Sequence, residues 1–364
     1  MEIKAAVLHQ PNQPLTVERL EVREPARGEV LVRTATTGVC HSDLHFADGS
    51  WPMKMPAVLG HEASGIVEKV GEGVTYVQPG DHVILSFSPF CGRCAMCVTG
   101  SPHLCTDPAG RMPAPEAGPR ITWDGREVTQ MASMGSFGEL MVVPEGGLVR
   151  IEKDFPLDKA ALVGCGVMTG VGAVLNTAKV PEGATVVVVG CGGVGLNVIQ
   201  GAVLANAGRI IAVDLLPNKL EMARQFGATD VVNGAETDPV AAVKEMTKDS
   251  VDYAFEAIGN VKAARQCFDM VRRGGTAVIV GMMPWGSEIS VPGPAFLGEK
   301  KLIGCFYGST RQRVDMPRLL NFYKQGKLKL DELVTKRWEL GQVNEAFAAM
   351  KKGEVARSII PMLS

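Results

Sequence analysis

The 364-residue sequence has little net charge, few aromatic residues and no long apolar run. Its formal net charge is −2 at pH 7, so it lacks the basic field that attracts nucleic acid or anionic membranes. No stretch approaches the roughly 18 consecutive apolar residues of a membrane span. The opening residues, MEIKAAVLHQPNQP, lack the long apolar core of a signal peptide. We therefore expect a soluble, cytoplasmic enzyme or binding protein with no nucleic-acid or membrane partner.

Cysteine is the residue type that stands out, and four of the nine cysteines lie close together. Cys91, Cys94, Cys97 and Cys105 follow the pattern C-x2-C-x2-C-x7-C. The cytoplasm keeps thiols reduced, and four thiolates can enclose one tetrahedral ion, as in structural zinc sites. An iron–sulfur cluster also accepts four cysteines, and two disulfides would need an oxidising compartment. The pattern predicts structural zinc, with these two alternatives open.

The chain is too long for one hydrophobic core, which predicts two domains. Residues 1 to about 160 contain short β-type runs between glycine and proline turns, as in a compact, barrel-like β unit. From about residue 180, buried strands such as TVVVVG alternate with helices, which is typical of a doubly wound α/β domain. The tail from about 307 is expected to pack on the first domain. The stretch 106–136, which includes Trp123, is rich in proline and glycine and predicts a long loop.

A glycine motif follows the strand TVVVVG and opens the next helix. Gly190, Gly192 and Gly195 match G-x-G-x-x-G, and Asp214 follows about 20 residues on. The first glycine makes the tight turn, the second lets the backbone approach a pyrophosphate, and the third lets the helix pack on the strand. Asp214 would accept hydrogen bonds from ribose hydroxyls and repel a 2′-phosphate, which favours NAD over NADP. The alternative is a structural turn with an incidental acid.

Several motifs together resemble the zinc-containing medium-chain dehydrogenase/reductase family, in particular its alcohol dehydrogenases. They are GVCHSDLH, GHEASGIVEKVGEGV, QPGDHV, the four-cysteine lobe, VGCGVMTG, GCGGVG and GEVARSII. The resemblance runs nearly end to end. It implies a GroES-like β-rich catalytic domain (1–166 and 307–364, with a zinc lobe at about 91–105) and a Rossmann NAD-binding domain (167–306). It also implies an active site in the cleft and a homodimer or homotetramer.

The resemblance assigns a catalytic zinc to residues that spacing alone does not connect. Cys40, His61 and Cys165 match its ligands, and Glu62 matches an acid that can transiently approach it. Asp43 matches the carboxylate that orients His61.

The same resemblance implies roles for substrate and cofactor residues. Ser42 would take the proton of the alcohol, and His45 would relay it through the cofactor ribose. The implied pocket is apolar, formed by Trp51, Phe87 and Met282. The implied cofactor contacts are His41, Thr169, Gly190, Gly192, Gly193, Val194, Gly195, Asp214, Lys219, Val280 and Arg357. Many relatives carry arginine where this chain has His41, and histidine is a weaker, pH-dependent phosphate partner.

The expected function is zinc- and NAD-dependent, reversible oxidation of a primary, aromatic or secondary alcohol to an aldehyde or ketone. A glutathione-dependent formaldehyde dehydrogenase would need a basic pocket rim, and the sequence shows no convincing basic cluster there. A nicotinoprotein, which keeps its NAD bound, is a further alternative on the same scaffold. A non-enzymatic binding protein would be expected to have lost a zinc ligand or a relay residue, and none is lost.

Overall fold

The computed structural model describes residues 1–107 and 115–363. Within these ranges the chain forms two compact units. The first comprises Met1–Cys165, Arg311–Gln325 and Leu330–Ser364, and the second comprises Gly166–Thr310 and Gly326–Lys329. The expectation of a second domain over 167–306 did not include the short segment 326–329.

Strands dominate the first unit, whereas strands and helices alternate in the second. The strands are β1 (Glu2–Leu8), β2 (Thr16–Val22), β3 (Glu29–Val39), β4 (Ala57–Val58), β5 (Ala63–Val70), β6 (His82–Leu85), β7 (Ile121–Trp123), β8 (Arg126–Glu127), β9 (Thr129–Gln130), β10 (Leu140–Pro144), β11 (Leu148–Ile151), β12 (Thr185–Val189), β13 (Arg209–Asp214), β14 (Asp230–Asn233), β15 (Val251–Glu256), β16 (Val271–Ile279), β17 (Lys301–Gly304), β18 (Val334–Arg337) and β19 (Arg357–Pro361). The α-helices are α1 (His41–Ala47), α2 (Ala95–Val98), α3 (Leu157–Leu162), α4 (Met168–Gly172), α5 (Gly193–Leu204), α6 (Pro217–Gln225), α7 (Pro239–Thr247), α8 (Val261–Met270), α9 (Gln312–Lys324) and α10 (Val343–Lys351).

The first unit is built on two sheets. One has the order β8-β7-β2-β1-β4-β9, and the other has the order β11-β6-β5-β3-β19-β18, with β10 also paired to β3. Strand β3 is central because its eleven residues include many β-branched side chains and are buried almost throughout. The tail returns as predicted, since β19 pairs antiparallel with β3 and α10 packs Phe347 against Phe137. These elements give the GroES-like, β-rich unit that the sequence predicts.

The second unit is a doubly wound parallel sheet of order β14-β13-β12-β15-β16-β17. The central strand β12 consists of Thr185 and four valines, and those valines are buried because helices cover both faces of the sheet. Strand order reverses beside β12, which has β13 on one side and β15 on the other. Such a reversal is where ligands bind at the carboxyl ends of the strands. This confirms the α/β prediction.

The predicted long loop at 106–136 is wrong for much of its length. Residues 108–114 lie outside the described residues, but β7, β8 and β9 lie within the stretch. Strand β7 extends the sheet by pairing with β2, and the ring of Trp123 lies 4.9 Å from the ring of His9. These strands have two or three residues each and depend on pairing to distant partners, so a local pattern does not reveal them.

One helical stretch in the described ranges, Leu157–Ala178, is long and apolar enough to span a membrane. The sequence did not suggest it because Thr169 and Asn176 interrupt the apolar run. In the structure 78% of its most apolar part is buried inside the protein, as in a core helix. Two π-helical turns, Val163–Val167 and Ala173–Ala178, lie within it.

A buried ion cluster joins the start of β3 to the β7 region. Glu29 is 4% exposed and accepts hydrogen bonds from Arg23 (2.6 Å), Arg120 (2.8 Å) and the amide of Ala26 (2.9 Å). Burial alone would raise the pKa of Glu29, but these donors outweigh it and hold the pKa below its usual value. The carboxylate is therefore stabilised in its charged form.

We expect Glu29→Ala to lower the free energy of unfolding by about 3–5 kcal/mol, because it removes the buried carboxylate that two guanidinium groups share. Urea unfolding would measure this. The folded-state pKa of Glu29 lies below the unfolded value, so its contribution is complete above that unfolded value and is lost as pH falls through the lowered pKa. The difference in the free energy of unfolding between the natural protein and the variant should therefore become smaller at acidic pH. Glu2→Ala is the matched control, because its partner Arg19 is exposed.

Candidate active site and zinc centres

Two cysteines and a histidine from three separate segments meet inside the first unit. Cys40, His61 and Cys165 are buried, and one ligand atom from each lies within 4.8 Å of the others. Cys40 follows β3, His61 follows β4, and Cys165 lies in the first π-helical turn, a feature common at functional sites. The Cys165 Sγ is 3.3 Å from the His61 Nε2. Two sulfurs and one imidazole leave a fourth position open, as in catalytic zinc sites.

The electrostatics of this group suit a cation. A hydrogen bond from Cys165 holds the pKa of the Cys40 thiol well below its usual value, and the same contact raises the pKa of Cys165. The lowered pKa favours the thiolate of Cys40, which is the form that binds metal. A zinc ion bound here would convert the second to a thiolate as well.

Asp43 is hydrogen-bonded to the histidine ligand, and its role in orienting that ligand stays a prediction. Its side chain is fully buried, and Oδ1 lies 2.9 Å from the His61 Nδ1. The carboxylate also accepts hydrogen bonds from the amides of Cys40 and Gly60, both at 3.0 Å. Burial would lower the pKa of His61, but Asp43 raises it well above its usual value. With Nδ1 held by Asp43, the Nε2 faces the two sulfurs.

Glu62 lies behind the ligands and is paired with Arg357. Both side chains are buried, and Oε2 is 3.3 Å from the guanidinium Nη1. Burial raises the pKa of Glu62 to about 7 although Arg357 opposes this. The resemblance assigned Arg357 to the cofactor pyrophosphate, which stays a prediction. The structure shows in addition that Arg357 balances the charge of Glu62, a contact that no sequence pattern indicated.

Of the predicted substrate and relay residues of the first unit, Ser42 and Phe87 lie beside these ligands. Ser42 Oγ lies 3.9 Å from Cys40 Sγ. His45 is in the last turn of α1, and its buried Nδ1 has no hydrogen-bond partner among the described residues. The Phe87 ring lies edge-on to His61 with centroids 5.6 Å apart. The Trp51 ring lies 6.3 Å from that of Phe46, and its amide donates to the His45 carbonyl. His41 is exposed at the start of α1.

The four-cysteine lobe has the geometry of a closed metal site. One sulfur each from Cys91, Cys94, Cys97 and Cys105 lies within 4.8 Å of the others. All four are free thiols, which argues against the disulfide alternative. Backbone hydrogen bonds lower the pKa of Cys94 to about 5, so a thiolate is available. A complete shell of four sulfurs is typical of structural zinc.

The dinucleotide motif has the turn that its glycines predict. Gly190 has a φ of +96°, and a Cβ at Gly195 would lie 1.7 Å from the Gly190 carbonyl oxygen. A Cβ at Gly192 would meet nothing within 4 Å, so the backbone there is open to a ligand. Gly193 and Val194 begin α5, whose free N–H groups favour a phosphate. The residues therefore fit a dinucleotide pyrophosphate.

Asp214 ends β13 beside this turn. Its carboxylate accepts hydrogen bonds from the amides of Cys191 (2.8 Å), Leu215 (2.8 Å) and Leu216 (3.1 Å). The acid that the sequence assigned to ribose is thus also the group that ties the glycine turn to the next loop. Lys219 lies on α6, Thr169 lies on α4, and Val280 and Met282 follow β16.

A Rossmann unit and a GroES-like unit with a closed and an open zinc site define a zinc-binding dehydrogenase. Sequence comparison agrees, since the Alcohol dehydrogenase GroES-like domain matches residues 26–153 and the Zinc-binding dehydrogenase domain matches 193–325. The chain is 42% identical to S-(hydroxymethyl)glutathione dehydrogenase of Photobacterium damsela subsp. piscicida, covering 99% of this chain and 100% of the relative. It is 40% identical to alcohol dehydrogenase class-3 of Drosophila melanogaster, covering 98% and 97%.

A solved structure shows the same likeness. The crystal structure of benzyl alcohol dehydrogenase from Acinetobacter calcoaceticus has a TM-score of 0.94 and 35% identity, covering 100% of both chains. The chain belongs to the zinc-containing medium-chain alcohol dehydrogenases. It is an oxidoreductase that uses zinc and NAD.

We expect Asp43→Asn to weaken the catalytic zinc site by about 10–100-fold in metal affinity, because His61 loses the carboxylate that orients it. Zinc retained during titration with a chelator would measure the change. Cys94→Ser is the complementary variant and should lose the other zinc. Loss of both ions together from Asp43→Asn would contradict the assignment.

Alanine at the second and third glycines of the motif should separate binding from folding. Gly195→Ala places a Cβ against a backbone oxygen, so thermal unfolding should occur well below that of the natural protein. Gly192→Ala meets open space and should unfold normally, yet bind NADH more weakly in a fluorescence titration because the backbone can no longer approach the pyrophosphate. Equal behaviour of the two variants would contradict this interpretation.

Proposed function

We propose that the preferred substrates of this chain are apolar primary alcohols, benzylic alcohols included, oxidised reversibly to aldehydes with NAD. The observation that carries this is the aromatic lining beside the metal ligands, where Phe87 contacts His61 edge-on. An apolar pocket binds a hydrocarbon or aromatic group by burying its surface. The full-length likeness to a benzyl alcohol dehydrogenase supports the same class.

The chemistry divides between the bound groups and the residues of the chain. When bound, zinc supplies Lewis acidity and NAD accepts the hydride. Ser42 accepts the proton of the substrate hydroxyl and releases its own hydroxyl proton into the relay, because its Oγ lies beside the ligand Cys40. His45 passes that proton toward solvent, and its unpartnered Nδ1 is available for such a transfer. Cys40, His61 and Cys165 hold the metal, and Asp43 keeps His61 in the required tautomer.

A second candidate substrate is S-(hydroxymethyl)glutathione, which is named for several relatives. Its carboxylates would need cations at the pocket rim. Lys54, three residues after Trp51 in the sequence, is ion-paired with Glu127, and His41 is charged only when protonated. These contacts favour the uncharged alcohol over the glutathione adduct.

We expect benzyl alcohol to give a kcat/KM at least about tenfold above that of S-(hydroxymethyl)glutathione, since one charged group left unpaired costs more than about 1.4 kcal/mol. Absorbance of NADH at 340 nm would follow both reactions. Phe87→Ala should lower kcat/KM for benzyl alcohol much more than for ethanol, because only the larger substrate reaches that ring. A reversed preference would support the glutathione-linked activity instead.

We infer further that the chain works in the cytoplasm as a homodimer or homotetramer. Its nine free cysteines suit a reducing compartment. Strand β17 is the edge of the parallel sheet, and the preceding Phe296 and Leu297 are 49% and 86% exposed. An exposed edge with apolar neighbours favours pairing with a second copy.

Leu297→Asp should therefore shift the sedimentation coefficient toward that of a smaller species, because it places a charge in the proposed contact. Val314→Asp is the control, since Val314 is also exposed (58%) but lies on α9. A sedimentation coefficient unchanged by Leu297→Asp would exclude this edge as the interface.

A further inference from the structure

Glu256 is a fully buried carboxylate that the catalytic scheme does not use. It ends β15, and its Oε1 accepts hydrogen bonds from three consecutive amides, those of Ile258 (2.9 Å), Gly259 (2.7 Å) and Asn260 (3.1 Å). The loop that joins β15 to α8 is thus wrapped around one oxygen atom. Its conformation depends on where that oxygen lies.

The other side of Glu256 faces the segment that follows β16. The Glu256 backbone carbonyl accepts hydrogen bonds from the amides of Val280 (2.9 Å) and Gly281 (3.0 Å). A Cβ at Gly281 would lie 2.7 Å from Oε2 and 2.0 Å from the Gly259 nitrogen. The two segments are therefore in close contact, with the carboxylate between them.

These segments lie at the carboxyl ends of adjacent parallel strands, next to the glycine turn. Ile258, 53% exposed, reaches the turn, because a Cβ at Gly190 would lie 2.4 Å from its Cγ1. Dinucleotides bind in this region of such sheets. Val280 and Met282, which the family resemblance assigns to the nicotinamide and the pocket, follow β16 here. The conformation of these two segments therefore determines the shape of the nicotinamide end of the site.

We propose that Glu256 is a positioning residue for the nicotinamide half of the cofactor. Its side chain acts through the backbone amides of residues 258–260, which it holds against the segment 280–281, and it does not itself touch the cofactor. The position of the segment 258–260 depends on how far the side chain extends its acceptor oxygen toward the three amides. It does not depend on the charge of that side chain. This inference rests on the use of NAD described above.

Two conservative variants separate reach from charge. Glu256→Asp keeps the carboxylate but withdraws it by one carbon–carbon bond, about 1.5 Å, from the three amides. Glu256→Gln keeps the reach and one acceptor oxygen but removes the charge. Asp252→Asn is the matched control, since Asp252 lies toward the other end of β15 and binds Thr185 and Arg272.

The experiment compares NADH with ADP-ribose, which lacks the nicotinamide, by fluorescence titration and competition. For Glu256→Asp we expect the Kd of NADH to rise about tenfold while that of ADP-ribose changes less than threefold. For Glu256→Gln and Asp252→Asn we expect both constants to stay within threefold of the natural protein. Thermal unfolding and zinc content verify that each variant is folded.

Four results would overturn the proposal. They are unchanged NADH binding by Glu256→Asp, equal weakening of NADH and ADP-ribose, weaker NADH binding by Glu256→Gln than by Glu256→Asp, or an equal loss in Asp252→Asn. Should Glu256→Asp not fold, Glu256→Gln alone decides, since NADH binding must then hold within threefold. A natural protein that binds no NADH would refute the proposed function itself, and with it this inference.

Discussion

Burial of charge is the constraint on which the structure depends most. Glu29, Asp43, Glu62 and Glu256 each have 4% exposure or less. A carboxylate removed from water is costly unless donors or cations surround it. Each of these four side chains therefore has hydrogen-bond donors or a cation beside it. Each set of partners fixes one part of the fold.

The partners differ with the task. Arginines and an amide surround Glu29 and join the start of β3 to the β7 region. A histidine and two amides surround Asp43, so the carboxylate orients a metal ligand and the loop that carries it. Glu62 has a buried arginine. Glu256 has only backbone amides, and for that reason it acts on loop conformation.

Steric limits at glycine complete the cofactor site. Gly195 lies against the Gly190 carbonyl, where any side chain would collide, whereas Gly192 borders open space. Gly195 is thus needed for close packing of the backbone, and Gly192 is needed for the cofactor to approach the backbone. Asp214 links the two functions, because the carboxylate assigned to ribose also binds the amide that follows Gly190.

Local sequence patterns were enough to predict several elements of this protein and one of its metal sites. Continuous valines identified β12 and the glycine spacing identified the turn, because each signal is contained in a short segment. Four cysteines within one lobe predicted the closed metal site for the same reason.

Other features depend on residues far apart in sequence, and only the tertiary structure decided them. The pairing of β7 with β2, the π-helical turn that carries Cys165 and the Arg357 partner of Glu62 leave no periodic signal. The meeting of Cys40, His61 and Cys165 needed either a family resemblance or the fold itself. The sequence by itself determined the strands, helices and tight turns whose signal lies in neighbouring side chains, such as β12 and the glycine turn. Folding alone decided which buried charges meet, because that depends on which distant segments share one low-dielectric interior.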